Sequence, residues 1–300
     1  MTSDARESGS ADEEMPDRRV GVAIATRNRR ISLVRTLRAL RALPESPKIA
    51  VVDNASTDGT PDDVERRFAD VELIRLNENL GAAARTVGAD ALGTDYVAFA
   101  DDDSWWAPGS LTLAADRFDA SPELAVVAAR ILVGPESRLD PTSCLMAASP
   151  LPPSPGIPGI PVLGFLACAA VVRRSAYLEV GGFDRRFGIG SEETLLALDL
   201  ASRGYHLVYA DEVVAHHDPD PGANRDGRSV LKVRNALWTV WLRCPPIDAV
   251  RRTASVAMRA AHDPSTREGM IAAVRGLHWV LPDRRPLPRS VAEAFRSLDR

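Results

Sequence analysis

The chain has 300 residues, 45% of them hydrophobic, enough to bury a full core and to exclude disorder as the default. Its net charge of −4 is unevenly spread: Arg228 to Arg300 holds 14 Lys and Arg against 6 Asp and Glu, a balance of +8 that leaves −12 on the part before it. The longest nearly uninterrupted apolar run, Val162 to Val172, is too short to cross a bilayer, which takes roughly 20 residues, so no transmembrane helix is expected.

Met1 to Arg18 is polar and rich in Asp, Glu and Ser, without the basic start and apolar run of a secretion signal, and reads as a disordered acidic leader. Val20 to Thr26 is a β-branched and apolar strand, and Ile31 to Leu43 follows with apolar residues at helical spacing. The alternation repeats. Lys48 to Asp53 reads as a strand; Thr60 then caps a helix whose first turn takes Pro61, Asp62 and Asp63. Val71 to Leu76 is a third strand, Gly81 to Leu92 a helix, and Tyr96 to Ala100 a fourth strand. This order predicts an α/β fold, a mainly parallel sheet flanked by helices.

A helix near Pro108 to Asp119 and a strand near Leu124 to Val133 come next. The Pro-rich passage from Pro150 to Pro161 is irregular and is expected to form a loop over the site. Ala167 to Val172 reads as a strand, Ser191 to Arg203 as a helix, and His206 to Ala215 as extended. Beyond it, residues 228–300 are expected to form a basic helical extension, with an apolar helix from Val230 to Leu242, to a main α/β domain of residues 19–227. The basic balance fits a solvated arginine-rich surface, and also peripheral contact with an anionic lipid face. Cys144, Cys168 and Cys244 are odd in number and far apart, and read as small buried hydrophobes in a reducing cytosol.

In such sheets ligands gather at the carboxyl ends of strands. Three of the four strands end in polar clusters: Thr26-Arg27-Asn28-Arg29, Asp53-Asn54 with Ser56, Thr57 and Asp58, and Asp101-Asp102-Asp103. Three adjacent carboxylates repel one another unless a cation or hydrogen bonds compensate. Mg2+ or Mn2+ suits hard oxygen ligands and shares its shell with substrate phosphates. The competing reading is a polar loop of capping aspartates.

The ordered segments VAIATRNR, VVDNASTDGT, NLGAAAR, VAFADDDSWW, VVRRSAYLEVGGFDRRFG, SEETLLALDLASRGY and VVAHH resemble the family 2 glycosyltransferases, which have the GT-A fold. The resemblance runs from Val20 to about His217. It implies a nucleotide-binding sheet, a nucleotide diphosphate sugar as donor, Thr26, Arg27 and Asn28 beside the nucleotide, and Asp53, with Asn54 next to it, at the base. Arg85 falls near the base or phosphates, Asp101 and Asp103 form the Asp-x-Asp pair with Asp103 on the metal, and Asp102 lies nearer the ribose. It also implies a base at the acidic pair opening the later helix, Glu193 first and Glu192 second, and inversion at the anomeric carbon. It further implies a histidine at the end of the last strand that completes the metal shell or touches the diphosphate; neighbours on a strand face opposite ways, so one of His216 and His217 faces the site, and His216 is the choice.

Trp105 and Trp106 are candidates to stack on a sugar, with core packing the alternative. Gly182 and Asp184, in the turn Gly181-Gly182-Phe183-Asp184, are candidates to approach the donor sugar. Arg234-Asn235 offers a weaker route to the phosphates. Where many relatives carry Asp and Arg along the acidic helix, this chain has Leu195 and Asp199, so acceptor contacts do not transfer. The acceptor is left open among saccharide, lipid-linked glycan and metabolite, and no nucleic-acid partner is expected. Two other functions compete. A sugar-nucleotide-forming nucleotidyltransferase would need a Gly-rich basic loop where ATRNRR stands, and a nucleotide-sugar-binding protein without turnover is favoured only by Leu195 and Asp199. The lack of G-x-G-x-x-G after the first strand disfavours a dehydrogenase further still.

Overall fold

The computed structural model describes residues 17–219 and 227–298, so the expected leader lies outside the described residues except for Asp17 and Arg18. The first half alternates as the pattern predicts: β1 (Val20–Thr26), α1 (Arg30–Arg41), β2 (Lys48–Asp53), α2 (Thr60–Arg67), β3 (Glu72–Arg75), α3 (Ala84–Leu92) and β4 (Tyr96–Ala100). Gly81–Ala83 is a single 3-10 turn leading into α3. Then come β5 (Ser104–Trp106), α4 (Ser110–Ala120), β6 (Leu124–Val133), β7 (Arg138–Leu139), α5 (Pro141–Ala147), β8 (Ile160–Pro161), β9 (Ala170–Arg173), α6 (Arg174–Glu179), α7 (Glu192–Ser202) and β10 (His206–His217). The extension holds α8 (Arg228–Arg243), α9 (Pro246–Ala260), α10 (Pro264–Arg275), α11 (Leu277–Val280) and α12 (Arg289–Ser297).

The strands form one sheet in the order β3-β2-β1-β4-β9-β6-β10-β5. Its first four are parallel, as expected. The second half is mixed, because β9 runs antiparallel to both β4 and β6 while β10 returns parallel to β6. Period-two alternation sorts the side chains onto two faces. Val22, Ile24, Val51 and Ala98 join Leu33, Leu37 and Leu40 of α1 on one face. Ala23, Ala50, Val97 and Phe99 join Ala89 of α3 and Tyr177 of α6 on the other. Each fully buried leucine or phenylalanine contributes about 1.5–3 kcal/mol relative to exposure.

Several local expectations are corrected. Thr60 does not cap α2; Gly59 is the capping residue, at φ 79°, and Asp58 accepts from the Thr60 amide at 3.0 Å. Ala167–Ala169 is a 3-10 turn, so the strand begins at Ala170. The Pro-rich passage does not cover the site. β8 pairs with Val208 and Tyr209 near the start of β10, at the end of the sheet opposite His217, and Arg117 fixes the Pro158 carbonyl there. Cys168 and Cys244 are buried, but Cys144 is exposed. Among the described residues no helix is long and apolar enough to cross a membrane.

The helical extension docks through α8. Phe187 and Leu195 pack with Leu237 and Trp238, and Arg243 holds the Asp199 carboxylate, with Nη2 at 2.9 Å from Oδ2. Leu195 and Asp199 are thus among the contacts that seat the extension.

Candidate active site

A cavity of about 680 Å³ opens where β1, β2, β4 and β10 end. Its floor is the aspartate triplet, delivered there by a completely buried β4. Ser104 closes the turn, its hydroxyl accepting from the Asp101 amide at 2.7 Å and donating to the Cys168 carbonyl. The carboxylates then divide between two arginines, with Arg29 shared by Asp102 and Asp103. Asp101 pairs with the buried guanidinium of Arg85. Asp102 accepts from the Thr26 hydroxyl at 3.0 Å and from Arg29 Nε at 3.1 Å. Asp103 meets Arg29 Nη2 at 3.3 Å on one oxygen and His217 Nε2 at 3.5 Å on the other.

The electrostatics follow from this division. Burial and the adjacent Asp101 and Asp103 push Asp102 up to about 6, and Arg29 only partly opposes them. Burial acts the same way on Asp103, but His217 and Arg29 outweigh it and hold its carboxyl below the ordinary value. His217 is half-buried, which lowers its pKa, but Asp103 outweighs this and raises it.

The other two strand ends form the rim. Asn28 adopts φ 54° and ties the first two loops together, its amide donating to Ser56 and its side chain accepting from the Thr57 amide at 2.8 Å. Arg27 is exposed on the cavity wall. Asp53 is 2% exposed; one oxygen accepts from the Ser56 amide, and the other is buried with no partner among the described residues. Asn54 lines the cavity and also spans to the third loop, accepting from Leu80 and donating to Gly81.

Glu192 and Glu193 open α7 after Ser191, which sits at φ 65°. Neither lines the cavity, but Arg85, which does, lies in the field of both. Burial works against the Arg85 charge, and Asp101 and Glu192 more than offset it, so the guanidinium is held above its usual pKa. Burial raises both glutamates, and their mutual repulsion adds to it at Glu192. Glu193 accepts from the Ala167 amide at 3.3 Å and keeps partial exposure. Glu192 is 4% exposed, with one oxygen unpartnered among the described residues.

Four expectations at the site are corrected. His217, not His216, faces Asp103; His216 is turned onto the Trp105 ring, 5.6 Å between centroids and 14° between planes. Trp105 is occupied by that stack, and Trp106 is 1% exposed in the core, because β5 pairs with the end of β10. Gly182 faces Thr86 and Tyr177, which a Cβ there would meet at 2.5–3.0 Å, and does not line the cavity. Asp184 instead grips Arg186, which reaches Asp283 of the extension.

The glycine that matters sits elsewhere. Gly81 has φ 60°, and a Cβ on it would lie 2.3 Å from the Gly188 carbonyl, which accepts from the Ala82 amide at 2.7 Å. Both glycines line the cavity, together with Ile189. That loop is held from behind by the extension: Arg234 donates to Phe187, and the fully buried Asn235 donates to Phe187 at 2.9 Å and to Gly190 at 2.5 Å. Arg228 and Leu231 reach the cavity from the start of α8. Arg29 and Arg228 carried a sequence signal only as basic residues beside a strand end and a helix start.

The pattern described as "Glycosyl transferase family 2" matches residues 21–181, more than half of the chain. The chain belongs to glycosyl transferase family 2. Among members of known role, it is 26% identical over 248 residues to the N-acetylglucosaminyl-diphospho-decaprenol L-rhamnosyltransferase of Mycobacterium tuberculosis (strain ATCC 25618 / H37Rv), covering 70% of this chain and 79% of that one. It is 33% identical over 207 residues to the pre-mycofactocin glycosyltransferase of the same organism, over 67% of this chain and 43% of that protein, and so spans less than half of its length. The fold is that of the mannosyltransferase PcManGT from Pyrobaculum calidifontis, solved with GDP-Man and Mn2+, at a TM-score of 0.57 and 21% identity over 96% of this chain and 76% of that one. The chain is thus a family 2 glycosyltransferase with the GT-A architecture.

The arrangement fits a shared rather than an enclosed metal site. Asp103 and His217 supply one oxygen and one nitrogen donor on the cavity wall, a set suited to Mn2+ or Mg2+ completed by phosphate oxygens. Among the described residues no group of three or more His, Cys, Asp or Glu side chains is placed to hold an ion alone.

Proposed function

We propose that the chain moves one sugar from a nucleotide diphosphate donor to an acceptor hydroxyl, with inversion and with Mn2+ or Mg2+ bound at Asp103 and His217. The observation that carries this reading is the convergence of acid and base on one cavity: the aspartate triplet on the floor, and Arg27, Arg29, Arg85 and Arg228 around it. A diphosphate is the ligand such a ring of guanidiniums suits. Asp53 does not itself line the cavity but adjoins Asn54, which does, and its buried unpartnered oxygen is the acceptor we assign to a base N–H, with Thr26, Asn28, Asn54, Asp101 and Asp102 framing the rest of the nucleotide. A bound cation supplies positive charge against the diphosphate as it leaves.

Glu193 is the base. A carboxyl raised by burial holds its charge only above the ordinary glutamate range, which brings it nearer the operating pH of a proton acceptor. Its partial exposure favours it over Glu192. As Glu193 takes the hydroxyl proton, the acceptor oxygen bonds to the anomeric carbon from the side opposite the departing diphosphate, which inverts that centre. The relative named for a diphospho-decaprenol substrate supports a lipid-linked glycan as acceptor, beside saccharides and small metabolites.

The test is calorimetric titration of nucleotide sugars with Mn2+, followed by assay of nucleoside diphosphate release. Asp103→Ala is expected to lose Mn2+-dependent donor binding, and undiminished binding would move the metal elsewhere. Glu193→Gln is expected to retain donor binding while transfer falls by about 10²–10⁴-fold. Full transfer in that variant rules Glu193 out as the base.

A further inference from the structure

Helix α9 is apolar on both sides. Ala249, Val256 and Ala260 face inward, and Asp248 beside them is anchored by Arg296. On a surface helix the opposite side is expected to be polar. Here Ile247, Val250 and Met258 are 67%, 67% and 69% exposed, with Ala254 exposed between them. Steps of three and four residues align these four as one outward stripe along the helix. The exposed Arg251 borders it, and Arg259 stands exposed beside Met258.

We infer that α9 is an interfacial helix that lays this stripe into the surface of an anionic lipid bilayer. An apolar face with arginines along its border is the pattern of a helix lying in the headgroup plane. The molecule's charge is arranged to match, since residues 228–300 carry +8 and the part before them −12. An anionic surface attracts the end bearing α9 and repels the catalytic body. A second copy is the poorer occupant, because a two-fold contact through one stripe sets Arg251 and Arg259 against their own images.

The inference stands on α9 alone and is independent of which acceptor is used. Its test is flotation of the full chain with phosphatidylcholine vesicles, with and without phosphatidylglycerol, at low and high salt. The wild-type chain is expected to float with the anionic vesicles and to be released in part by salt. The triple variant I247E/V250E/M258E is expected to stay unbound while retaining the wild-type Tm and donor binding. Arg251→Gln and Arg259→Gln are each expected to lower partitioning by about fivefold. The inference is overturned if the wild-type chain ignores anionic vesicles, or if the triple variant floats as well as wild type. It is equally overturned if light scattering shows that the triple variant merely converts a dimer into monomers while neither protein binds vesicles.

Discussion

At the scale of single residues, the site is governed by where its buried charges find partners. Arg85 is the hinge of that arrangement, paired with Asp101 and held in the field of Glu192 and Glu193, so one guanidinium links the aspartate triplet to the acidic pair that opens α7. Glu192 is the residue it compensates least completely, being 4% exposed with one oxygen unpartnered among the described residues. Its pKa is raised by burial and by Glu193, so the folded chain binds this proton more tightly than the unfolded chain does. Between the unfolded value, about 4.3, and the raised folded one, stability therefore falls as pH rises. Glu192→Gln keeps the shape and removes the charge, while Asp101 and Glu193 still face Arg85. Thermal unfolding followed from about pH 5 to about pH 9 should show Tm falling less steeply in the variant, with a gain of roughly 2–4 °C per kcal/mol recovered at the alkaline end. An unchanged slope would mean that Glu192 ionises as freely folded as unfolded.

At the scale of elements, the loop between α6 and α7 shows how the cavity wall is made rigid. Gly188 and Ile189 face the cavity, and the carbonyls around them point back to the Asn235 amide on α8. Asn235→Ala removes that donor from a fully buried position, at a cost of about 1–3 kcal/mol. Asn235→Asp is nearly isosteric but sets an acceptor against carbonyl oxygens, and should be the worse of the two in urea unfolding and in donor affinity. A harmless Asp would show that the amide does not hold the loop. This contact was out of reach of the sequence, where Asn235 is one polar residue in an amphipathic helix. The strands and helices of the first half were legible because short continuous β-branched and apolar runs alternate with apolar residues at helical spacing, and the triplet was legible because it follows the fourth of those strands directly; alone, it would read as a loop of capping aspartates. His217 was not, since strand alternation shows that one of two histidines faces inward without showing which; the pairing of β5 with β10 decides it. The turn Gly181-Gly182 was misleading for a related reason: a glycine shows that a Cβ is excluded, not what excludes it, and at Gly182 the neighbour is Thr86.

At the scale of the whole molecule, the division near residue 227 marks a change of composition but not a break in the structure. α8 lends Arg228 and Leu231 to the cavity, packs Leu237 and Trp238 against Phe187 and Leu195, and clasps Asp199 through Arg243. Arg186 reaches across to Asp283 and lies over the Trp279 ring at 3.9 Å. An apolar, hydrogen-bonded junction of this kind does not behave as a linker between independent domains. A chain ending at residue 227 would expose Phe187 and Leu195, leave the carbonyls of Phe187 and Gly190 without their donors, and remove two residues from the cavity wall. It should therefore lose donor binding and become prone to aggregation. The full chain should unfold in one calorimetric transition, and donor should raise protection from hydrogen exchange in α8 as well as at the strand ends. Two resolved transitions, or a truncated chain that binds donor as tightly as the full one, would show instead that the extension is an appendage and that the site is complete without it.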